Sequence, residues 1–120
     1  MTEALAVFIG GGIGAVLRWQ FQHHLNVSDK IPWGTFTANM LGGLIVGICL
    51  ALAARLSADT RLFVVTGILG GFTTFSALSA EIFHLGLRGQ YVAAICYGFG
   101  SLLLGVCLCW VGFASMSRLL

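Results

Sequence analysis

Charged side chains are the scarcest component of this sequence. Only 8% of its 120 residues are charged, whereas a typical soluble domain has about 25%. The formal net charge is +2, which leaves no basic patch large enough to attract nucleic acid. Hydrophobic residues make up 58% of the chain. The composition therefore predicts an integral membrane protein, folded as one domain over residues 1–120.

Groups for metal or enzymatic chemistry are also few. The four cysteines lie within apolar runs, and Cys107 and Cys109 would point to opposite sides of a helix. We therefore expect all four to be small buried hydrophobic residues. His23 and His24 are adjacent in a polar loop predicted at residues 23–32, where we expect solvent rather than a shared metal. With no nucleophile beside a base, the sequence does not indicate an enzyme.

What the chain does have is four long apolar stretches, and a helix needs about 20 residues to cross a bilayer. They are predicted as helices at about residues 4–25, 33–54, 62–87 and 91–116. Glu3 stands where a secretion signal carries basic residues, so we expect the first helix to be retained. Gly10 and Gly14, like Gly43 and Gly47, have the spacing that lets membrane helices approach closely. The sequence predicts an all-α membrane protein with four transmembrane helices.

The third of these helices carries a weak point in mid-membrane. Gly70 and Gly71 add backbone entropy to a helix, and the β-branched Thr73 and Thr74 are stiff at χ1. A broken helix in lipid leaves amides and carbonyls unpaired. Such backbone is tolerated where protein buries it or where it lines a cavity or an ion site. We therefore expect the third helix to be broken between Gly70 and Thr74, at a functional site.

Polar groups near the break supply both hydrogen-bond donors and acceptors. Asn39, on one face of the second helix with Thr35, either joins two helices through its amide or lines a polar path. Carbonyls released around Gly70 and Thr73 suit a small hard cation such as Na⁺, whereas hydroxyl and amide donors suit an anion. From this chemistry alone the site is a neutral polar pathway, and the sign of its ion stays open.

Lysine and arginine are divided evenly between the two ends of the helices. The residues at one end are Arg55, Arg61 and Arg118, and those at the other are Arg18, Lys30 and Arg88. An excess of these residues on one side sets the orientation of a membrane protein, so we infer insertion in both orientations. Two oppositely oriented copies would then pair as an antiparallel, dual-topology dimer. A singly oriented protein with a weak charge bias is the alternative.

Three motifs lie along the first three helices. They are Gly10-Gly11-Gly12-Ile13-Gly14-Ala15 with Arg18-Trp19, Gly34-Thr35 with Asn39 and Gly42, and Gly70-Gly71-Phe72-Thr73-Thr74-Phe75-Ser76. Together they resemble the Fluc/CrcB family of fluoride channels, a resemblance that covers all four helices. It implies a dual-topology homodimer in the bacterial inner membrane, which exports fluoride passively through two antiparallel pores and lowers fluoride toxicity.

The resemblance also implies roles for particular residues. Backbone carbonyls matching Gly70 and Thr73, from both subunits, would hold a structural Na⁺ at the centre of the dimer. Arg18 and Glu81 match residues of the vestibule or gate. The positions that match the family's fluoride pathway are Asn39, Thr74, Phe75, Ser76, Leu78, Tyr97 and Ser101.

Two positions depart from the family pattern. The second phenylalanine of the pathway is replaced by Leu78, and a polar residue one turn beyond Ser101 is replaced by Gly105. Leu78 has no positive ring edge to offer an anion. Either one ring suffices, or the pore conducts poorly, or a partner subunit supplies the missing ring in a heterodimer.

Two other classes of function are alternatives. A small four-helix, dual-topology multidrug or cation efflux transporter needs an ionisable residue deep in the membrane. Glu3 is too near the terminus for this role, and Glu81 comes late in the third helix. A helper protein without a transport role would need only the glycine pairs, which leaves Asn39 and the break without a purpose.

Overall fold

The computed structural model describes residues 2–27 and 30–120, so Asp29 of the first loop lies outside the described residues. All regular elements within those ranges are helical. Four helical spans are long and apolar enough to cross a membrane: Glu3–Leu25, Trp33–Ala51, Ala58–Leu87 and Tyr91–Ser117. This confirms the prediction of an all-helical protein with four membrane-capable helices.

The ends of the spans differ in places from the predicted ones. His23 and His24 lie in the last turn of the first span, although the polar loop was expected to begin there. The second span ends at Ala51, and residues 52–56 form turns. The third span begins earlier than expected because Ser57 caps it, its Oγ accepting the Thr60 N–H at 3.2 Å.

The third span consists of two half-helices. The first half-helix, residues 58–72, contains a π-helix at Leu62–Leu69, and its widened turns let the Gly70 N–H reach the carbonyl of Val65, five residues back. The second half-helix is Phe75–Leu87. Between them Thr73 and Thr74 are extended, with φ of −83° and −150°. The chain therefore breaks at the two threonines, while Gly70–Phe72 is still helical.

Glycines bring the first span against the first half-helix. A Cβ on Gly10 would overlap the carbonyl oxygen of Phe63, and a Cβ on Gly14 would overlap that of Ile68. Backbone therefore packs directly on backbone, as the spacing of Gly10 and Gly14 predicts. Gly12 has open space instead and belongs to the outer face of the helix.

The second and fourth spans pack in the same manner. Gly43 lies against the carbonyl of Gly105, and Gly47 lies against that of Cys109. The second half-helix then reaches the fourth span through the buried cluster of Leu85, Ala94 and Tyr97. The molecule thus contains two glycine-packed helix pairs, and the break in the third span lies between them.

The cysteines are only partly as expected. Cys49 and Cys109 are half-buried, but Cys96 and Cys107 are exposed, so the prediction that all four are buried is wrong for these two. The reason is that the fourth span packs against other helices on one side only. Its other side carries large apolar side chains such as Trp110, as expected of a surface in contact with lipid.

Candidate functional site

A groove of 630 Å³ opens beside the break in the third span. Its walls come from the second span, the second half-helix and the fourth span. Six of the predicted site residues and positions line it: Asn39, Thr73, Thr74, Phe75, Leu78 and Ser101. No charged side chain lines the groove among the described residues.

The side chain of Asn39 holds the break. The Thr74 N–H donates to Asn39 Oδ1 at 2.8 Å, and Asn39 Nδ2 donates to the Thr74 carbonyl at 3.0 Å. One amide thus replaces both hydrogen bonds that Thr74 would make in a continuous helix. An asparagine in the membrane is costly unless its amide finds partners, and here both ends of the amide have one. Asn39 therefore joins two helices and also lines the groove, the two interpretations that its position left open.

The same contacts release two particular carbonyls. In a continuous α-helix, Gly70 would accept from the N–H of Thr74, and Thr73 would accept from that of Ala77. The Thr74 N–H donates instead to Asn39, and the Ala77 N–H donates to Thr74 Oγ1 at 3.1 Å. The carbonyls of Gly70 and Thr73 therefore lose their helical donors, which makes them available as ligands.

The hydroxyls of Thr74 and Ser101, both near the break, differ in their hydrogen bonding. Thr74 Oγ1 caps the second half-helix and lies 3.4 Å from Ser76 Oγ. Ser101, on the fourth span, is only 5% exposed, and its Oγ has no hydrogen-bond partner in the described part of the chain. A buried hydroxyl without a partner costs free energy. The Ser101 hydroxyl is therefore a donor that is free to form a hydrogen bond with a ligand in the groove.

Phe75 and Leu78, on the second half-helix, form part of the groove wall. Phe75 is the first residue of the second half-helix and is 82% exposed, so its ring projects from the protein surface. Leu78, one turn later, packs against the buried cluster of Leu85, Ala94 and Tyr97. Only the first of the two predicted ring positions thus presents an aromatic edge.

Glu81 is the centre of a hydrogen-bond network. Its Oε1 accepts from Thr35 Oγ1 at 2.5 Å, and its Oε2 accepts from Tyr97 OH at 2.7 Å. Thr35 Oγ1 in turn accepts from Gln22 Nε2 at 3.1 Å and from Asn26 Nδ2 at 3.4 Å. Tyr97 therefore turns its hydroxyl to Glu81, while its neighbour on the same face, Ser101, faces the groove.

The network is also where sequence reasoning missed residues. Gln22 and Asn26 were not singled out, although their spacing of four residues at the polar end of the first span was a signal. Asn26, the residue after the first span, also accepts the N–H of Gly34 through its Oδ1 at 2.7 Å and so pairs an N–H in the first turn of the second span.

Glu81 also lines a second recess, of 400 Å³, at the end of the protein where the first and third loops lie. Lys30, His84 and Arg88 share this recess.

Arg18 is not part of this recess. It lies one turn before Phe21, whose ring packs edge-on against Phe72 with centroids 5.4 Å apart. Arg18 is half-buried there, and its Nε has no hydrogen-bond partner among the described residues.

Comparison with known proteins gives consistent results. The family described as "CrcB-like protein, Camphor Resistance (CrcB)" matches residues 5–113. A protein of Albidiferax ferrireducens is 42% identical over 113 residues, covering 87% of this chain and 85% of its own. One of Thermus thermophilus is 39% identical over 117 residues, with 94% of each chain covered. One of Bordetella bronchiseptica is 42% identical over 119 residues, covering 97% and 92%. All three are named "Fluoride-specific ion channel FluC".

The contact between Asn39 and the break predicts a change in hydrogen exchange. Asn39→Leu leaves the N–H and carbonyl of Thr74 unpaired, which costs about 1–3 kcal/mol for each buried group. Amides around residues 70–78 should then exchange on the order of tenfold faster or more. Hydrogen–deuterium exchange by mass spectrometry in detergent measures this. Thr37→Val is the matched control, since Thr37 lies on the same span and its hydroxyl has no hydrogen bond in the described part of the chain. Equal exchange in both variants would show that Asn39 does not hold the break.

Proposed function

The chain belongs to the CrcB-like family, and we propose that it is a fluoride-specific ion channel through which fluoride leaves a bacterial cell. It is a multi-pass membrane protein and a channel rather than an enzyme. The choice of ion rests on the relatives, each named a fluoride-specific channel, because the chemistry of the residues alone leaves the sign of the ion open. Passive export through the inner membrane would lower fluoride toxicity.

The donors along the groove support passage of an anion. Fluoride binds water strongly, so a pore must replace its hydration shell with protein donors. The hydroxyl of Ser101, buried and without a partner among the described residues, is the observation that carries this step. The second N–H of Asn39, which is not needed for Thr74, and the exposed edge of Phe75 extend the path toward the break.

The absence of charge from the groove favours a channel over the alternative of a proton-coupled efflux transporter. Such a transporter needs an ionisable group on its substrate path, and the described residues of the groove supply none. Glu81 is outside the groove, and the hydroxyls of Thr35 and Tyr97 hold its carboxylate. At the end of the protein that carries the first and third loops, Lys30 and Arg88 line the recess with Glu81, and their positive charges would raise the local concentration of anions.

A second copy in the opposite orientation would complete the pathway. Within one chain the groove is open to the surface, and Phe75 projects from it with 82% of its surface exposed. The even division of lysine and arginine between the two ends supports insertion in both orientations. Two such copies would meet at the break in the third span and form two antiparallel pores. The partner in this proposal is a second copy of the same chain.

The released carbonyls support a structural Na⁺ between the two copies. Carbonyl oxygens are ligands for small hard cations. Gly70 and Thr73 supply two of them from one chain, which is too few to replace a hydration shell. The same pair from an antiparallel copy would double the number. The described residues contain no group of three or more His, Cys, Asp or Glu that could hold a metal, so backbone oxygens are the ligands we propose. A bound cation would supply a fixed positive charge beside the fluoride path.

Fluoride efflux from liposomes tests the proposed function. Purified protein in liposomes loaded with fluoride should release it rapidly, as measured with a fluoride electrode, because the groove offers donors without a fixed negative charge. Liposomes loaded with chloride and read with a chloride electrode are the control. Absence of fluoride release, or equal release of chloride, would contradict a fluoride-specific channel.

Replacing Na⁺ tests the cation site. Protein purified and reconstituted with N-methylglucamine, a cation too large for two pairs of carbonyls, should lose dimer stability. A cation that binds only the dimer stabilises it by mass action, about 2.7 kcal/mol at a concentration 100-fold above Kd. The melting temperature of the dimer, measured by size-exclusion chromatography after heating, should rise with Na⁺ concentration. A melting temperature independent of Na⁺ would contradict the site.

A further inference from the structure

The groove holds a second exposed aromatic ring that the family pattern does not include. Phe99, on the fourth span, is 65% exposed and lines the same groove as Phe75. Neither ring contacts another aromatic ring in the described part of the chain. Two free phenyl rings on different helices therefore border one cavity.

Packing of the fourth span places Phe99 near the level of Leu78. A Cβ built on Gly98 would lie 3.0 Å from Cδ1 of Ile82, so the two helices approach closely there. Phe99 follows Gly98 directly, and Leu78 precedes Ile82 by four residues, about one helical turn. The ring of Phe99 thus begins within about one turn, roughly 5 Å, of the height of Leu78.

We propose that Phe99 supplies the second aromatic edge of the fluoride path, the contact that Leu78 is unable to make. The inference rests on the proposed fluoride channel. The edge of a phenyl ring is its positive part and attracts an anion weakly, whereas leucine has no such edge. Phe75 and Phe99 then contact the ion from two helices, next to the amide of Asn39 and the hydroxyl of Ser101.

The proposal explains how a chain with Leu78 conducts without a different partner subunit. A ring at position 78 would be carried by the second half-helix, on the same stripe as Phe75. A ring at position 99 comes from the fourth span and lines the same groove. If the ion needs only a second ring edge, a phenylalanine at position 99 would serve the same purpose as one at position 78.

Substitution and rescue test this directly. Fluoride efflux is measured from liposomes at equal protein for the wild type, F99L and the double variant L78F/F99L, with the dimer fraction determined by chemical cross-linking. F99L should conduct about tenfold more slowly than the wild type, with its dimer fraction unchanged. L78F/F99L should recover to within about threefold of the wild-type rate. Phe8→Leu is the matched control, because Phe8 is 77% exposed on the first span and away from the groove.

Three results would overturn the proposed role of Phe99, and a fourth would overturn the proposed function. A wild-type rate in F99L, or a double variant as slow as F99L with its dimer intact, would overturn the role of Phe99. Loss of the dimer in F99L would assign the ring to subunit packing and would also overturn it. If the wild type itself releases no fluoride, the proposed function fails instead, and the two failures are told apart in one experiment.

Discussion

The paired hydrogen bonds between the Asn39 side chain and the backbone of Thr74 are the contact on which the rest of this site depends. Lipid offers no donor or acceptor to a broken helix. The break is therefore possible because the Asn39 amide, on the second span, supplies one donor and one acceptor. The capping of Ala77 by Thr74 Oγ1 completes the exchange. Both contacts divert N–H groups from the helix, and the carbonyls of Gly70 and Thr73 are released as a direct result.

The glycine-packed helix pairs keep this contact in place. The first span lies on the first half-helix through Gly10 and Gly14, and the second span lies on the fourth through Gly43 and Gly47. Because backbone packs directly on backbone in each pair, the helices on either side of the break are held close together. The π-helix at Leu62–Leu69 sits within the first pair, next to the break. π-Helical turns are rare and frequently occur at functional sites.

Much of the fold was predictable because lipid restricts the choices. Long apolar stretches had to be helices, glycines four residues apart had to be contacts, and the Gly-Gly-Phe-Thr-Thr run had to be a weak point. The π-helix was not predictable, since it leaves no mark on hydrophobic periodicity. Its Gly67 packs against Gly10, a contact that only the assembled helices show. The contacts of Glu81 were missed for a similar reason. Thr35 reaches Glu81, and Gln22 reaches Thr35, only after three helices have assembled.

The positions of the site residues were largely predictable, but the contacts of their polar atoms were not. Asn39, Thr74, Phe75 and Ser101 come together on one groove, as a pathway requires. Tyr97 lies on the same face of its helix as Ser101, yet its hydroxyl belongs to Glu81. Helical spacing assigns a side chain to a face, but which neighbour its polar atom reaches is decided by packing.

In the arrangement that we propose, two oppositely oriented copies meet at the break. The distance between spin labels on equivalent residues of the two copies tests it most directly, with single cysteines at Ala80, Phe83 and Leu87 in a background lacking the four native ones. These positions are exposed and share one face of the second half-helix. For an antiparallel pair centred on the break, each residue farther from it should add about 3 Å, twice the helical rise, to the separation. The distance should therefore increase steadily from Ala80 to Leu87. Equal distances at the three positions would indicate parallel copies and rule out the antiparallel dimer.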